Sequence, residues 1–347
     1  MKKKILIGVA AVVVLVILLA ALQTLVVPKY ADNPEGLLTG EYYDHVGDHD
    51  VIFLGDCEIY ESFVPSVLWK EYGITSYIRG NSQQLAWHSY SLLRETFEYE
   101  KPKTVVFNVY ALKYGEPQSE AFNRMVFDTM KWSDAKADGI RDSMLDDESF
   151  ADYVFPLLRY HSRILELEGE DFDYWFSTPE TMTDNGYLIN AGVDPMPPQK
   201  PVDDEPDDLL AERGMEYLEK IRLLCEENGT ELILVKAPTN PSGYWWYDEW
   251  EEQIVDYSKK HDLAYYNFIP NCEKIGIDWQ TDTHDGGLHL NVYGAEKMTK
   301  YFGKILRDRH GLTSHKNEEE TAERWGEYYS EYQQKKKEME NRANEKN

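Results

Sequence analysis

Five short apolar runs constrain the fold of this chain more than any other feature. They occupy residues 50–54, 75–78, 104–108, 231–236 and 263–267, each set off by Gly, Pro, Asn or Asp. Runs of this kind predict strands. Helical stretches separate them, at residues 65–72, 84–99, 209–228 and 247–261, and residues 294–307 form a closing helix. The first of these is opened by Pro65 and closed by Gly73, in keeping with the preferences of helix ends. Strand alternating with helix predicts an α/β fold built on a parallel sheet.

The chain has 347 residues, 42% of them hydrophobic and 13% aromatic, enough for one large core. One stretch breaks the alternation. Residues 110–208 are richer in aromatics and acids, with a helical segment at 150–167 and a Pro-rich run at 195–206. This reads as a helical insertion over the strand ends, serving as a lid or substrate wall. The segment 28–47 reads as a juxtamembrane linker, and residues 313–347 as a charged tail, either a solvated helix or disorder. The net charge of −27 argues against nucleic acid as a ligand, since phosphate binding needs clustered Lys and Arg. An acidic surface keeps such a domain soluble and away from anionic headgroups.

Lys2, Lys3 and Lys4 precede an apolar stretch over residues 5–27 that only Gln23 and Thr24 interrupt. At about 1.5 Å per residue it can cross a hydrocarbon core of roughly 30 Å. The lysines predict a short cytoplasmic stub, residues 1–4, and an exported remainder on the cell membrane. A cleavable signal peptide is the competing reading, but the stretch is long for a signal core and no clear Ala-x-Ala site precedes Pro28.

The chemistry-bearing residues gather at two places. The first run ends in Gly55-Asp56-Cys57, which presents a nucleophile at a strand-to-helix turn, where a helix N-terminus favours the thiolate. The bland alternative is a buried small hydrophobe. Far along the chain, Asp285-Gly286-Gly287-Leu288-His289 supplies a histidine with an acid four residues before it. Nucleophile, base and orienting acid are the requirements of covalent acyl transfer. Asp282 is the other candidate acid, and a surface histidine capping a helix is the bland reading of His289. A metal site from Asp282, His284, Asp285 and His289 lacks regular ligand spacing. Gly80 and Asn108 end neighbouring runs and can form an oxyanion hole. Lys236 and Thr239, at the end of a fourth run, can line the pocket beside Asp56. Arg159 and Arg163 flank Tyr160 and His161 in the insertion and can hold an anionic polymer or a partner loop, though a partly exposed helix face is the preferred reading. Tyr244, Trp245, Trp246 and Tyr247 suit carbohydrate stacking, a membrane-facing surface or core packing. Cys225 and Cys272 can pair, though buried free thiols are the preferred reading. Asn228-Gly229-Thr230 matches a glycosylation acceptor and reads as a helix stop.

On these motifs the chain resembles the SGNH (GDSL-like) hydrolases, and within them the membrane-anchored DltD-like proteins of Gram-positive bacteria. Gly55-Asp56-Cys57 matches the nucleophile block with Cys for Ser. Gly80 and Asn108 match the oxyanion glycine and asparagine, and His289 matches the base of the terminal Asp-x-x-His block. Here the acid lies four residues before the histidine rather than three. The resemblance implies a flavodoxin-like three-layer α/β/α sandwich with five central parallel strands over residues 48–312. It also implies an extracytoplasmic acyl esterase or O-acyltransferase that needs no metal or cofactor. Its expected partners are a cell-envelope polysaccharide or other acyl carrier and a membrane-bound O-acyltransferase. The rival reading is a non-catalytic protein that binds glycan or scaffolds such an acyltransferase. A thiol redox protein would need a Cys-x-x-Cys pair, which the sequence lacks.

Overall fold

All five apolar runs form strands, and every pairing between them is parallel. The computed structural model describes residues 2–29, 34–47, 49–173, 176, 183–195, 209–240 and 246–346. The strands are β1 (Val51–Gly55), β2 (Ser76–Gly80), β3 (Thr104–Asn108), β4 (Glu231–Lys236) and β5 (Ala264–Asn267), in the spatial order β2-β1-β3-β4-β5. This is the flavodoxin-like order, in which the chain reverses its direction of winding between β1 and β3. Register brings the strand ends level: Gly55 lies beside Gly80, Asn108 beside Val235, and Lys236 beside Asn267. Sequence-distant residues therefore meet along one carboxyl edge, and the crevice at the winding reversal lies between the ends of β1 and β3.

In chain order the helices are α1 (Lys2–Val26), α2 (Leu38–His45), α3 (Cys57–Tyr60), α4 (Pro65–Tyr72), α5 (Ala86–Tyr99), α6 (Glu120–Phe127), α7 (Asp134–Ser143) and α8 (Phe150–Val154). They continue with α9 (Pro156–Tyr160), α10 (Gly169–Asp173), α11 (Glu212–Asn228), α12 (Asp248–His261), α13 (Cys272–Ile275), α14 (Val292–Arg309) and α15 (Glu319–Lys346). Alternate strand residues point to opposite faces of a sheet, which produces two cores. Val51, Phe53, Val106, Ile233 and Val235 pack with α4, α14 and α15. Ile52, Leu54, Val105, Phe107 and Leu234 pack with α5, α7, α11 and α12. Cys225 belongs to the second core and Cys272 to the first, so the sheet separates them; all three cysteines are free thiols.

Three sequence expectations change. The segment read as a linker, 28–47, contains α2, where Leu38 and Tyr42 are buried. Tyr42 is held by edge contact with Tyr77 and by a 2.7 Å hydrogen bond to Glu100. The helix expected over 150–167 is broken. Phe155 leaves helical geometry (φ −124°, ψ 77°) because it precedes Pro156, whose ring crowds the residue before it. The charged tail is helix α15, with Trp325 and Tyr332 buried against the body of the domain. Trp325, Tyr328, Tyr329 and Tyr332 recur at helical spacing and form a stripe that the high charge content masks. The Pro-rich residues 196–206, linker residues 30–33 and 48, and Tyr244 and Trp245 lie outside the described residues.

Helix α1 is long and apolar enough to cross a membrane, and its central part is exposed on every face. Because α15 buries its aromatics, Trp325→Ala and Tyr332→Ala are each expected to cost about 3–5 kcal/mol, the range for emptying a buried aromatic site. Urea unfolding of the full chain in detergent measures this. A change within error would mean that α15 is peripheral.

Candidate functional site

Strand β1 ends at Gly55, where no larger residue fits. A Cβ there would lie 2.8 Å from Ile59 Cγ1 and 2.9 Å from Asn108 Cβ. Asp56 then caps α3, its carboxylate accepting from the Glu58 N–H at 3.3 Å, and Cys57 becomes the first helical residue. The opposite wall is the loop leading into α14. It is pinned where Gly287 N–H donates to Thr283 Oγ1 at 2.7 Å, and where the Asn291 amide donates to the carbonyls of Gly192 and Thr281. From this loop His289 reaches the carboxyl edge of the sheet.

The structure brings Cys57, His289 and Asp285 together. Asp285 receives both the backbone N–H of His289 (2.9 Å, Oδ1) and the ring Nδ1–H (2.5 Å, Oδ2), which fixes the ring's orientation. Nε2 is buried and makes no hydrogen bond of good geometry among the described residues, yet the Cys57 thiol is close enough for the two groups to shift each other's protonation. The four-residue spacing thus places the acid as required, and the second glycine (Gly287, φ +91°) absorbs the extra residue. Asp282, the other candidate acid, is engaged instead by Lys297 at 2.6 Å and by the Asp278 N–H at 2.8 Å.

Behind Cys57 lies a buried polar network. Lys236 donates to both carboxylate oxygens of Glu58, at 2.8 and 2.9 Å, and to the carbonyl of Ala237 at 3.0 Å. Asn108 donates to Asp56 Oδ1 (3.0 Å) and Glu58 Oε2 (2.8 Å), while its oxygen accepts from the Ala237 N–H (3.1 Å). All four side chains are at most 4% exposed. The expected roles therefore look different in place. Lys236 is locked in an ion pair rather than lining a pocket, and the amide of Asn108 faces two carboxylates. Gly80 packs against the Gly55 carbonyl, 3.2 Å from where its own Cβ would be. Thr239 carries a buried hydroxyl with no partner among the described residues. It adjoins the histidine loop, since the next residue, Asn240, donates its N–H to Gly287 at 2.7 Å. Arg159 and Arg163 lie away from the site: Arg159 pairs with Glu120, and Arg163 with Asp171 and the Val26 carbonyl.

Sequence reading missed Glu61 and the partnership of His284. Glu61 Oε2 is 3.0 Å from His284 Nε2 and 3.5 Å from His289 Nδ1, and the two imidazoles lie nearly parallel, at 15°. Ligand atoms of these three residues lie within 4.8 Å of one another and could hold a metal ion. That set differs from the four residues considered from spacing, because Asp282 and Asp285 are otherwise engaged. A metal bound there would compete with Asp285 for Nδ1 of His289. The available signal was an acid four residues after Cys57. Lys113, just after β3, was also unnoticed; burial lowers its pKa to about 8 against the pull of Asp56 and Glu58.

The surrounding acids shape the protonation states. Burial pushes the Cys57 thiol up to about 11, reinforced by Asp56 and Glu61 and opposed by His289. Burial, then repulsion from Glu58, raises Asp56 to about 7. Burial pushes His289 down, but Asp285 and then Cys57 outweigh it and hold the ring well above the usual histidine value. Burial pushes Asp285 up, yet its bonds to His289 keep it below the usual carboxylate value. Both shifts, of the Cys57 thiol and of the His289 ring, favour the protonated form of their group.

No protein-family model matches this chain, and no curated protein matches it.

Two outcomes are expected. Alkylation of Cys57 by iodoacetamide, followed by peptide mass mapping, should be slow at neutral pH and rise about tenfold per unit toward about 11, because the thiolate is the reacting form. A plateau reached near neutrality would instead indicate a thiolate–imidazolium pair. Lys236→Met strands the buried Glu58 carboxylate and should cost about 3–5 kcal/mol, most of it recovered in the Glu58→Gln/Lys236→Met double variant. Equal losses in the single and double variants would show that the pair is uncoupled.

Proposed function

We propose that this protein is a membrane-tethered, extracytoplasmic acyl esterase or O-acyltransferase of the SGNH type, acting on cell-envelope polymers through Cys57. The observation that carries this reading is the convergence of Cys57, His289 and Asp285 at the carboxyl edge of the sheet, with Nδ1 of His289 held by Asp285 and Nε2 left for the thiol. Helix α1, with three lysines at its start, supports a cytoplasmic N-terminus and an exported domain.

In the proposed reaction the Cys57 sulfur attacks an ester carbonyl, its proton passes to Nε2 of His289, and the carbonyl π electrons move onto oxygen. Collapse of the tetrahedral adduct breaks the C–O bond, and His289 protonates the departing alkoxide. Water or a sugar hydroxyl then attacks the thioester, giving its proton to Nε2, and the thiolate leaves and is reprotonated. Asp285 holds the ring throughout. Because the surroundings of His289 favour its protonated form and attack needs the neutral ring, acylation is expected to quicken as pH rises.

A second reading is favoured by two particular features: the acids around the thiol, which oppose its ionisation, and the engagement of the Asn108 amide with Asp56 and Glu58. On that reading the same crevice binds an envelope glycan, or scaffolds a membrane-bound O-acyltransferase, without covalent chemistry.

Intact-mass analysis of the full chain in detergent with an activated acyl ester separates the two. The enzyme reading expects one acyl adduct on the wild type, none on Cys57→Ala, and formation slowed about a hundredfold or more in His289→Ala. No adduct at any pH, with Cys57 also inert to alkylation, would leave the binding reading.

A further inference from the structure

The surface around α1 carries an unusual share of the exposed apolar side chains. Outside α1, six of the eleven large apolar residues exposed among the described residues fall within residues 155–176: Phe155, Leu158, Ile164, Leu165, Phe172 and Phe176. Leu165 is 92% exposed and Leu158 55%. In a chain of net charge −27 such a concentration marks an interaction surface.

Its position against α1 identifies the occupant. Every residue between Lys4 and Gln23 is apolar or glycine, and at about 1.5 Å per residue that interval spans about 28 Å, close to the roughly 30 Å of a hydrocarbon core. If the lysines mark one boundary, Gln23 marks the other. Phe155, Leu157 and Leu158 line an apolar cleft with Val16, Leu19 and Ala20 of α1. Val16 lies about 10 Å inward of Gln23 along the helix axis, within the depth of about 5–10 Å that interfacial segments reach. Above this level the contacts turn polar. Arg163 donates to the Val26 carbonyl at 2.8 Å and to Asp171 at 3.0 Å, and the Lys29 ammonium bonds the Thr24 carbonyl. Apolar below and charged above is the layering expected where protein meets headgroups.

We infer that residues 155–176 form a second membrane contact, seated in the outer leaflet beside α1, with lipid acyl chains filling the cleft between α9 and α1. The inference rests on α1 crossing the bilayer. It makes the protein bitopic by one helix and monotopic by residues 155–176, which orient the domain on the membrane, while residues 183–195 of the same insertion pack against the histidine loop.

The test places a bimane fluorophore, one site at a time, in the full-length Cys57→Ser protein reconstituted into vesicles of phosphatidylethanolamine and phosphatidylglycerol in equal parts. The labelled variants are Leu158→Cys, Leu165→Cys, Val14→Cys within α1, and Leu223→Cys on α11 as the water-exposed reference. Quenching by nitroxide-bearing lipid is compared with quenching by aqueous iodide. The expected result is lipid quenching of the labels at 14, 158 and 165 several-fold above that at 223, with the reverse order for iodide. Labels at 158 and 165 that behave as 223 does, while 14 reports lipid, would overturn the inference and leave the anchor intact. Water at 14 as well would overturn both. Labels at 158 and 165 shielded from both quenchers would indicate self-association and equally exclude lipid as the occupant.

Discussion

The ion pair between Glu58 and Lys236 is the contact on which the site depends. It joins α3, which carries Cys57, to the end of β4, while Asn108 at the end of β3 ties Glu58 to Asp56. Three elements spread over about half of the chain are thereby fixed at the winding reversal. A charge with no partner at this depth would carry a desolvation penalty of several kcal/mol, so each member is held in place by the others. Replacing such a pair with apolar residues is often neutral for stability. What it supplies here is position: the first turn of α3 sits where the network requires, and Cys57 sits on that turn.

The network also sets the charge of the crevice. Asp56, Glu58, Glu61 and Asp285 lie within a few residues of the thiol and imidazole, and Lys236 is already paired. Acids next to a thiol oppose the thiolate, and acids next to an imidazole favour the imidazolium. Both tendencies act here, holding the imidazole above its usual value and pushing the thiol up as well. This differs from the usual activated cysteine, in which cationic surroundings depress the thiol pKa. The short α3 does not reverse this, because its N-terminal field competes with the Asp56 carboxylate that caps it and with the nearby Glu61.

The strands were legible in the sequence because residues that face two buried layers must be apolar on consecutive positions. β3 and β4 and helix α4 keep their expected ends, set by Pro102, Gly229 and Gly73. Cys57, His289 and Asp285 were legible for the same reason, since chemistry at an open α/β sheet collects at strand ends. The partners inside the network were not. Lys236 next to a strand end looks the same in sequence whether it meets a substrate or a buried Glu58. Glu61 gives no sign of facing two histidines until the fold sets the end of α3 against the histidine loop, where its carboxylate meets His284 and His289. Helix α15 was hidden by its charge, and α2 by its brevity and its nearness to the anchor.

Serine in this position would meet the acids differently. A hydroxyl is never ionised at neutral pH, so neighbouring carboxylates cost it nothing until it attacks and its proton leaves. A thiol can ionise beforehand, and the same carboxylates prevent it from doing so. In the proposed reaction Cys57 would therefore act as a serine-like nucleophile whose proton departs in the act of attack, with His289 neutral at that moment. A polymer that displaces water from the crevice would deepen the burial that already pushes His289 down, and so favour loss of the imidazolium proton. A bound cation near Asp285 would do the same by weakening the acid's hold on the ring. In the proposed reaction the controlling step is thus the loss of a proton from His289, and the carboxylates that build the site oppose that loss.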